Sequence, residues 1–142
     1  MGFDKTASAG FLANHMARLF AAGLQRRVAP LGLAPAQFMV LLELWQDDGL
    51  TQRDLVERLD VEQATMANTL ARMDRDGLIT RRPSETDRRA RVVETTPKAR
   101  AMREAAIAAA KAQNEAALAG LTGTERDELL RLMRKVIGAM KR

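Results

Sequence analysis

Residues 50–97 read LTQRDLVERLDVEQATMANTLARMDRDGLITRRPSETDRRARVVETTP, and the order of signals in them decides the fold. Thr51 is a good helix N-cap, with Asp54 three residues on in the place of a capping-box acid. The helix it opens is brief and has Leu55, Val56 and Leu59 to bury. Asp60-Val61-Glu62 then turns the chain into a second helix from about Gln63 to Asp76. Gly77 ends that helix, because it takes left-handed geometry without steric cost. Beyond it the period changes: residues 78–82 and 89–95 are strand-like, and residues 83–88 between them supply turn chemistry. Two short helices joined by a tight turn and followed by a two-stranded wing make a winged helix-turn-helix.

The second helix has two unlike faces. Met66, Leu70 and Met73 fall at i, i+4 and i+7 and pack inward, whereas Thr65, Asn68, Thr69 and Arg72 fall on the outer side. That outer side suits duplex DNA. Thr and Asn bond phosphates and base edges, Arg72 and Arg75 carry charge, and Gln63 near the helix start reaches a base or a phosphate. An ordinary solvated helix face carries similar residues, so the helix alone leaves the two readings level. The hairpin tips the balance: Arg81, Arg82, Arg88, Arg89 and Arg91 lie on or beside it against only Glu85 and Asp87. Arginine on such a tip suits a narrow minor groove, whose negative potential attracts it.

Outward from this centre the chain reads as long helix. From about Ser8 to Ala29 apolar residues return every three or four positions (Phe11, Leu12, Met16, Leu19, Phe20, Leu24, Val28), and Pro30 sets the end. Pro35 sits at a first helical position, with Phe38, Leu41, Leu42 and Trp45 as the buried stripe up to Asp47-Asp48-Gly49. On the other side Thr96-Pro97 opens an alanine-rich helix to about Ala119. Thr122 and Glu125 form a capping box for a last helix whose Leu129, Leu132, Met133, Val136, Ile137 and Met140 make a broad apolar stripe. The first helix and the last two present more apolar surface than one subunit covers, which points to a helical homodimer interface.

The chain of 142 residues fits one domain, divided into a dimerisation helix (1–30), a winged helix-turn-helix (31–96) and C-terminal dimerisation helices (97–142). A net charge of +5 and a pI near 10.4 suit a polyanionic partner. The absence of Cys excludes disulfides, thiolate metal sites and thiol redox sensing. No stretch reads as a membrane span or signal peptide, so a cytoplasmic location is expected. One lone His, no Cys, no Tyr and scattered acids supply neither a catalytic constellation nor a metal site, and no cofactor is expected.

These residues resemble the MarR family of bacterial transcription regulators from about Phe11 to Met140. The likeness is most specific in AQFMVLLELWQDDGLTQRDLVERL (36–59), in QATMANTLARMDRDGLITRRPSETDRRA (63–90) and in the TPKAR that opens the long helix. The resemblance implies a mostly α fold with a small β-hairpin wing and a helical dimerisation region. It implies a two-fold dimer, an operator that is an imperfect inverted repeat of double-stranded DNA, and repression relieved by a small aromatic or phenolic effector. Asp87-Arg88-Arg89 matches the family's wing signature, with Asp87 as positioner and Arg89 as minor-groove reader. Gln63, Thr65, Asn68, Thr69 and Arg72 fall where relatives use recognition-helix residues. Three positions depart from the pattern: Thr95 stands where Leu is usual, Ala99 where Gly is frequent, and Ala34 where a Ser or Thr cap is usual.

His15 is the only histidine. It is expected either to hydrogen-bond an effector in a pocket completed by Phe11, Phe38, Met39, Leu42 and Met102, or to be a satisfied residue at the dimer interface or surface. The rival to the regulator reading is a winged module that binds protein without reading DNA. Salt dependence separates them, since a dimer engaging about eight phosphates gives a log-log slope of about −7.

Overall fold

The computed structural model describes residues 2–141. Helix α1 spans Ala9–Val28 behind Ser8, whose side chain accepts from the Phe11 amide at 3.2 Å. It stops in a 3-10 turn at Ala29–Leu31, where Pro30 lies. Helix α2 (Pro35–Gln46) starts at its proline. Ala34 has no capping side chain, yet the helix start is not bare. Gln37 reaches back so that its Oε1 accepts from the Ala34 amide at 3.1 Å, the returning half of a capping box.

Strand β1 (Leu50–Thr51) leads straight into α3 (Gln52–Leu59). Thr51 and Asp54 make both capping-box bonds, at 3.1 and 3.0 Å, so the shorter acid suffices. Asp60, at φ 53 and ψ 43, is the left-handed residue of the turn into α4 (Gln63–Arg75). Gly77 at φ 74 closes that helix. Strands β2 (Ile79–Pro83) and β3 (Arg91–Thr95) form the wing, and β1 pairs with the other edge of β3 to give an antiparallel sheet of order β1-β3-β2. The register is Leu50↔Val93 on one side of β3 and Ile79↔Thr95 on the other. Strand β1 escapes a sequence reading because two residues show no period. The first wing strand is displaced by one residue from the span read, to Ile79–Pro83, and the second is shorter than read, starting at Arg91.

Helix α5 (Pro97–Ala117) follows β3 after the single residue Thr96. The core lies where helices α1 to α5 meet the sheet: Val28, Phe38, Leu41, Leu44, Leu55, Met66, Leu70, Met73, Val93 and Ala106 are all at most 2% exposed. Each such large side chain contributes about 1.5–3 kcal/mol by leaving water. Ala99 is also fully buried, and its carbonyl accepts from the Trp45 indole at 3.3 Å. Helix α1 lies along α5 so closely that a Cβ at Gly23 would collide with the side-chain amide of Gln113, which itself accepts from Arg27 Nε at 3.1 Å.

Helix α6 (Gly123–Met140) is different. Its capping box of Thr122 and Glu125 forms as expected, but no residue on it is buried. Leu130, Leu132, Val136, Ile137 and Met140 are exposed, as are Leu12 and Leu19 on α1. Lys141, just past its end, reaches the Asp60 carboxylate at 3.1 Å. No single helix among the described residues is long and apolar enough to cross a membrane.

Candidate nucleic-acid interface

On α4, Gln63, Thr65, Asn68, Arg72 and Arg75 are exposed, while Met66, Leu70 and Met73 face the core. Thr69 corrects the sequence reading. It is 8% exposed and sits beside Leu70 on the buried side, because position i+4 from Thr65 falls at the edge of the outer face. Arg75 donates to the Asp76 carboxylate at 3.2 Å, which leaves Arg72 as the α4 cation without an ion pair among the described residues. Gln52, at the first turn of α3, donates to Gln63 Oε1 at 3.3 Å and links the starts of the two helices.

The wing tip is built by short polar bonds. Ser84 Oγ accepts from the amides of Thr86 and Asp87, each at 3.3 Å, and the Asp87 carboxylate accepts from the Arg89 amide at 3.0 Å. Asp87 therefore fixes Arg89 through its main chain and leaves the guanidinium free. Arg82 is matched by Glu94 at 2.8 Å, and Arg81 faces Asp74 at 3.6 Å, too long for a hydrogen bond. Arg88, Arg89 and Arg91 have no ion-pair partner among the described residues.

Between wing and helices lies an open crevice of about 420 Å³. Arg53, Arg81, Arg89 and Arg91 line it, with Asp87 as the only acid, together with Thr51 and Gln52 from the start of α3. Of these, Arg81 belongs to the hairpin arginines that the sequence points to, whereas Gln52 and Arg53 are not among the residues it indicates. The helix start at Thr51 is the signal available for Gln52 and Arg53, since residues of a first turn project beyond the helix end.

The base of the wing is anchored through Thr95, the first of the three departures. It is buried and donates from its amide and hydroxyl to the two oxygens of Asp48, at 2.9 and 2.8 Å, while its carbonyl accepts from Arg100 at 2.7 Å. The other end of α4 is tied as tightly. Lys98 donates to the Asp76 carbonyl at 2.8 Å and Thr96 to the Gly77 carbonyl at 2.7 Å. The Asp76 carboxylate accepts from Gln37 at 3.0 Å, and that bond, followed by the one from Arg75, holds its carboxyl below the ordinary carboxylate range.

The expected effector residues differ widely in exposure. Phe11 and His15 meet edge to face at 6.1 Å on α1, with Lys5 over the Phe11 ring, and His15 is exposed. Phe38 is 2% exposed and packs edge to face on Trp45, so it is core rather than pocket wall. The cause is the stripe it shares with Leu41 and Trp45, which turns it inward. Leu42 and Met102 pack against the same core, while Met39 is exposed.

Comparison with known proteins agrees with this geometry. Residues 31–90 match the model of the MarR family. The transcriptional regulator HosA of Escherichia coli O111:H- is 32% identical over 107 residues, covering 75% of this chain and 79% of that protein. The HTH-type transcriptional repressor NicR of Pseudomonas putida is 29% identical over 135 residues, 95% of this chain and 85% of that one. In fold, the chain is similar to a mutant MarR from E. coli crystallised in complex with operator DNA, with a TM-score of 0.87 at 24% identity over 94% of this chain and 96% of that one. The chain belongs to the MarR family of transcriptional regulators.

Proposed function

We propose that the protein is a cytoplasmic, non-enzymatic repressor that binds an imperfect inverted repeat of double-stranded DNA as a homodimer and leaves it when a small effector binds. The observation that carries the reading is the crevice between wing and helices, lined by Arg53, Arg81, Arg89 and Arg91; Arg53 pairs with Glu57 and Arg81 with Asp74, which leaves the charge of Arg89 and Arg91 without an ion pair among the described residues. In this reading α4 enters a major groove through Gln63, Thr65, Asn68 and Arg72. Arg89 enters the adjacent minor groove, and Arg88 and Arg91 meet phosphates. Helices of the 1–30 and 97–142 segments pair with those of a second copy and set the two recognition helices about 34 Å apart, one DNA turn.

The effector reading rests on the mechanical path from α5 to α4. Lys98 and Thr96 hold the carbonyls at the end of α4, so a ligand that shifts α5 moves the recognition helix with it. The ligand must bind the two arrangements with different affinity to do so. Among the expected effector residues His15 and Met39 are exposed, Phe11, Leu42 and Met102 are half-buried, and Phe38 has no surface to offer.

The test is selection of binding sites from fragmented DNA of the source organism by the purified protein and by Arg89→Ala. A short inverted repeat recovered by the parent and weakened by the substitution supports the reading. Recovery without sequence preference, unaffected by Arg89→Ala, overturns it in favour of a protein-interaction module.

A further inference from the structure

We propose that Asp48 is a positioning residue for the wing, acting on Arg89 through Thr95 without touching DNA. This rests on the minor-groove reading of Arg89. Asp48 lies in the turn between α2 and β1, on the body of the domain, and both its carboxylate oxygens are spent on Thr95, the last residue of β3. Its Oδ1 also accepts from the Gly49 amide at 3.2 Å, which fixes the carboxylate within its own turn. Arg100, in the first turn of α5, holds the Thr95 carbonyl from the other side. The end of β3 is thus clamped between the body and α5, and Thr96 alone separates the clamp from that helix.

The clamp matters because the wing is a lever. Five residues of strand extend about 15 Å. Arg89 lies beyond them, held at the tip by Asp87. A tilt of about 10° at Thr95 displaces the tip by roughly 2.5 Å, close to the length of a hydrogen bond and enough to take a guanidinium out of a groove. Without the Asp48 carboxylate the Thr95 amide and hydroxyl lose their partner, and the body side holds β3 only through its two pairs with β1, Leu50↔Val93 and Thr51↔Val92.

A double-mutant cycle on the selected operator duplex tests this. In the parent, Arg89→Ala is expected to weaken binding by about tenfold or more. In an Asp48→Ala background the same substitution should cost less than about threefold, since a displaced arginine has little left to lose. Asp48→Asn keeps an oxygen acceptor and a polar partner for the Thr95 hydroxyl, and should restore most of the Arg89 effect. Thr95→Val, which removes the hydroxyl and keeps the shape, provides the same comparison if Asp48→Ala does not fold. A role in stability alone lowers the melting temperature and leaves the Arg89 effect at its parental size in every background; that result overturns the proposal. An Arg89→Ala protein that binds as well as the parent overturns the minor-groove reading first, and the positioning role with it.

Discussion

Lys98 donates from Nζ to the main-chain carbonyl of Asp76 at 2.8 Å, which places a cation from the first turn of α5 on the carbonyl end of α4. Helix ends carry partial negative charge on unsatisfied carbonyls, and a cation there stabilises by about 0.3–1 kcal/mol. Lys98→Met, which keeps the apolar stem, should lower the stability measured by urea unfolding by that amount. The difference from the parent should narrow as salt is raised toward about 1 M, because screening weakens the charge at an exposed site. A difference unmoved by salt would show that the stem, not the charge, supplied the contribution.

Asp76 also predicts a pH dependence. Its carboxyl is held below the ordinary range, chiefly by the Gln37 amide and next by Arg75. A group whose pKa is depressed by folding adds stability above its unfolded value, about 3.9, and that contribution disappears as pH falls through the folded value. Gln37→Leu removes the main cause. The stability difference between parent and variant should therefore be largest near neutral pH and shrink below about pH 4. If urea midpoints give a difference that is constant with pH, the contribution of Gln37 lies wholly in its bond to the Ala34 amide.

Two neighbours on α4 should behave oppositely on DNA. Asn68 is exposed and Thr69 is buried. Asn68→Ala is expected to weaken operator binding by about 1 kcal/mol or more, the lower range for loss of a base-edge contact. Thr69→Val should leave affinity within about twofold, because the side chain does not reach the surface. Titration of labelled operator decides both, and a large loss for Thr69→Val would place that residue at the DNA after all.

Phe38 should act on stability and not on ligand response. Truncating a buried aromatic residue costs about 3–5 kcal/mol, and Phe38 is 2% exposed against Trp45. Thermal unfolding of Phe38→Ala checks this; a loss under about 1 kcal/mol would mean the site is looser than its packing indicates.

Most of the frame is legible in the sequence because it is written in local signals. Pro35, Pro97, the Thr51–Asp54 and Thr122–Glu125 pairs and Gly77 each act within one turn of the chain, and each marks the boundary it suggests. What escapes depends on neighbours distant in sequence. Thr69 is decided by what covers the edge of a helix face. Strand β1 exists only because β3 returns beside it. The anchoring of Thr95 by Asp48 spans 47 positions and has no pattern to betray it. The stripe that holds Phe38 is legible and its role as core is not, since periodicity identifies the buried face and not what lies opposite it.

The uncovered residues of α6 have a consequence for dosage. In the proposed homodimer, Leu130, Val136, Ile137 and Met140, exposed in the single chain, are covered only in a second-order step. Stability gained through a partner subunit then follows mass action, and the melting temperature rises with protein concentration. Where subunits are scarce enough to be mostly separate, operator occupancy grows with roughly the square of their number. For the proposed repressor the exposed stripe thereby sets a copy-number threshold, so that a modest change in its synthesis produces a disproportionate change in operator occupancy.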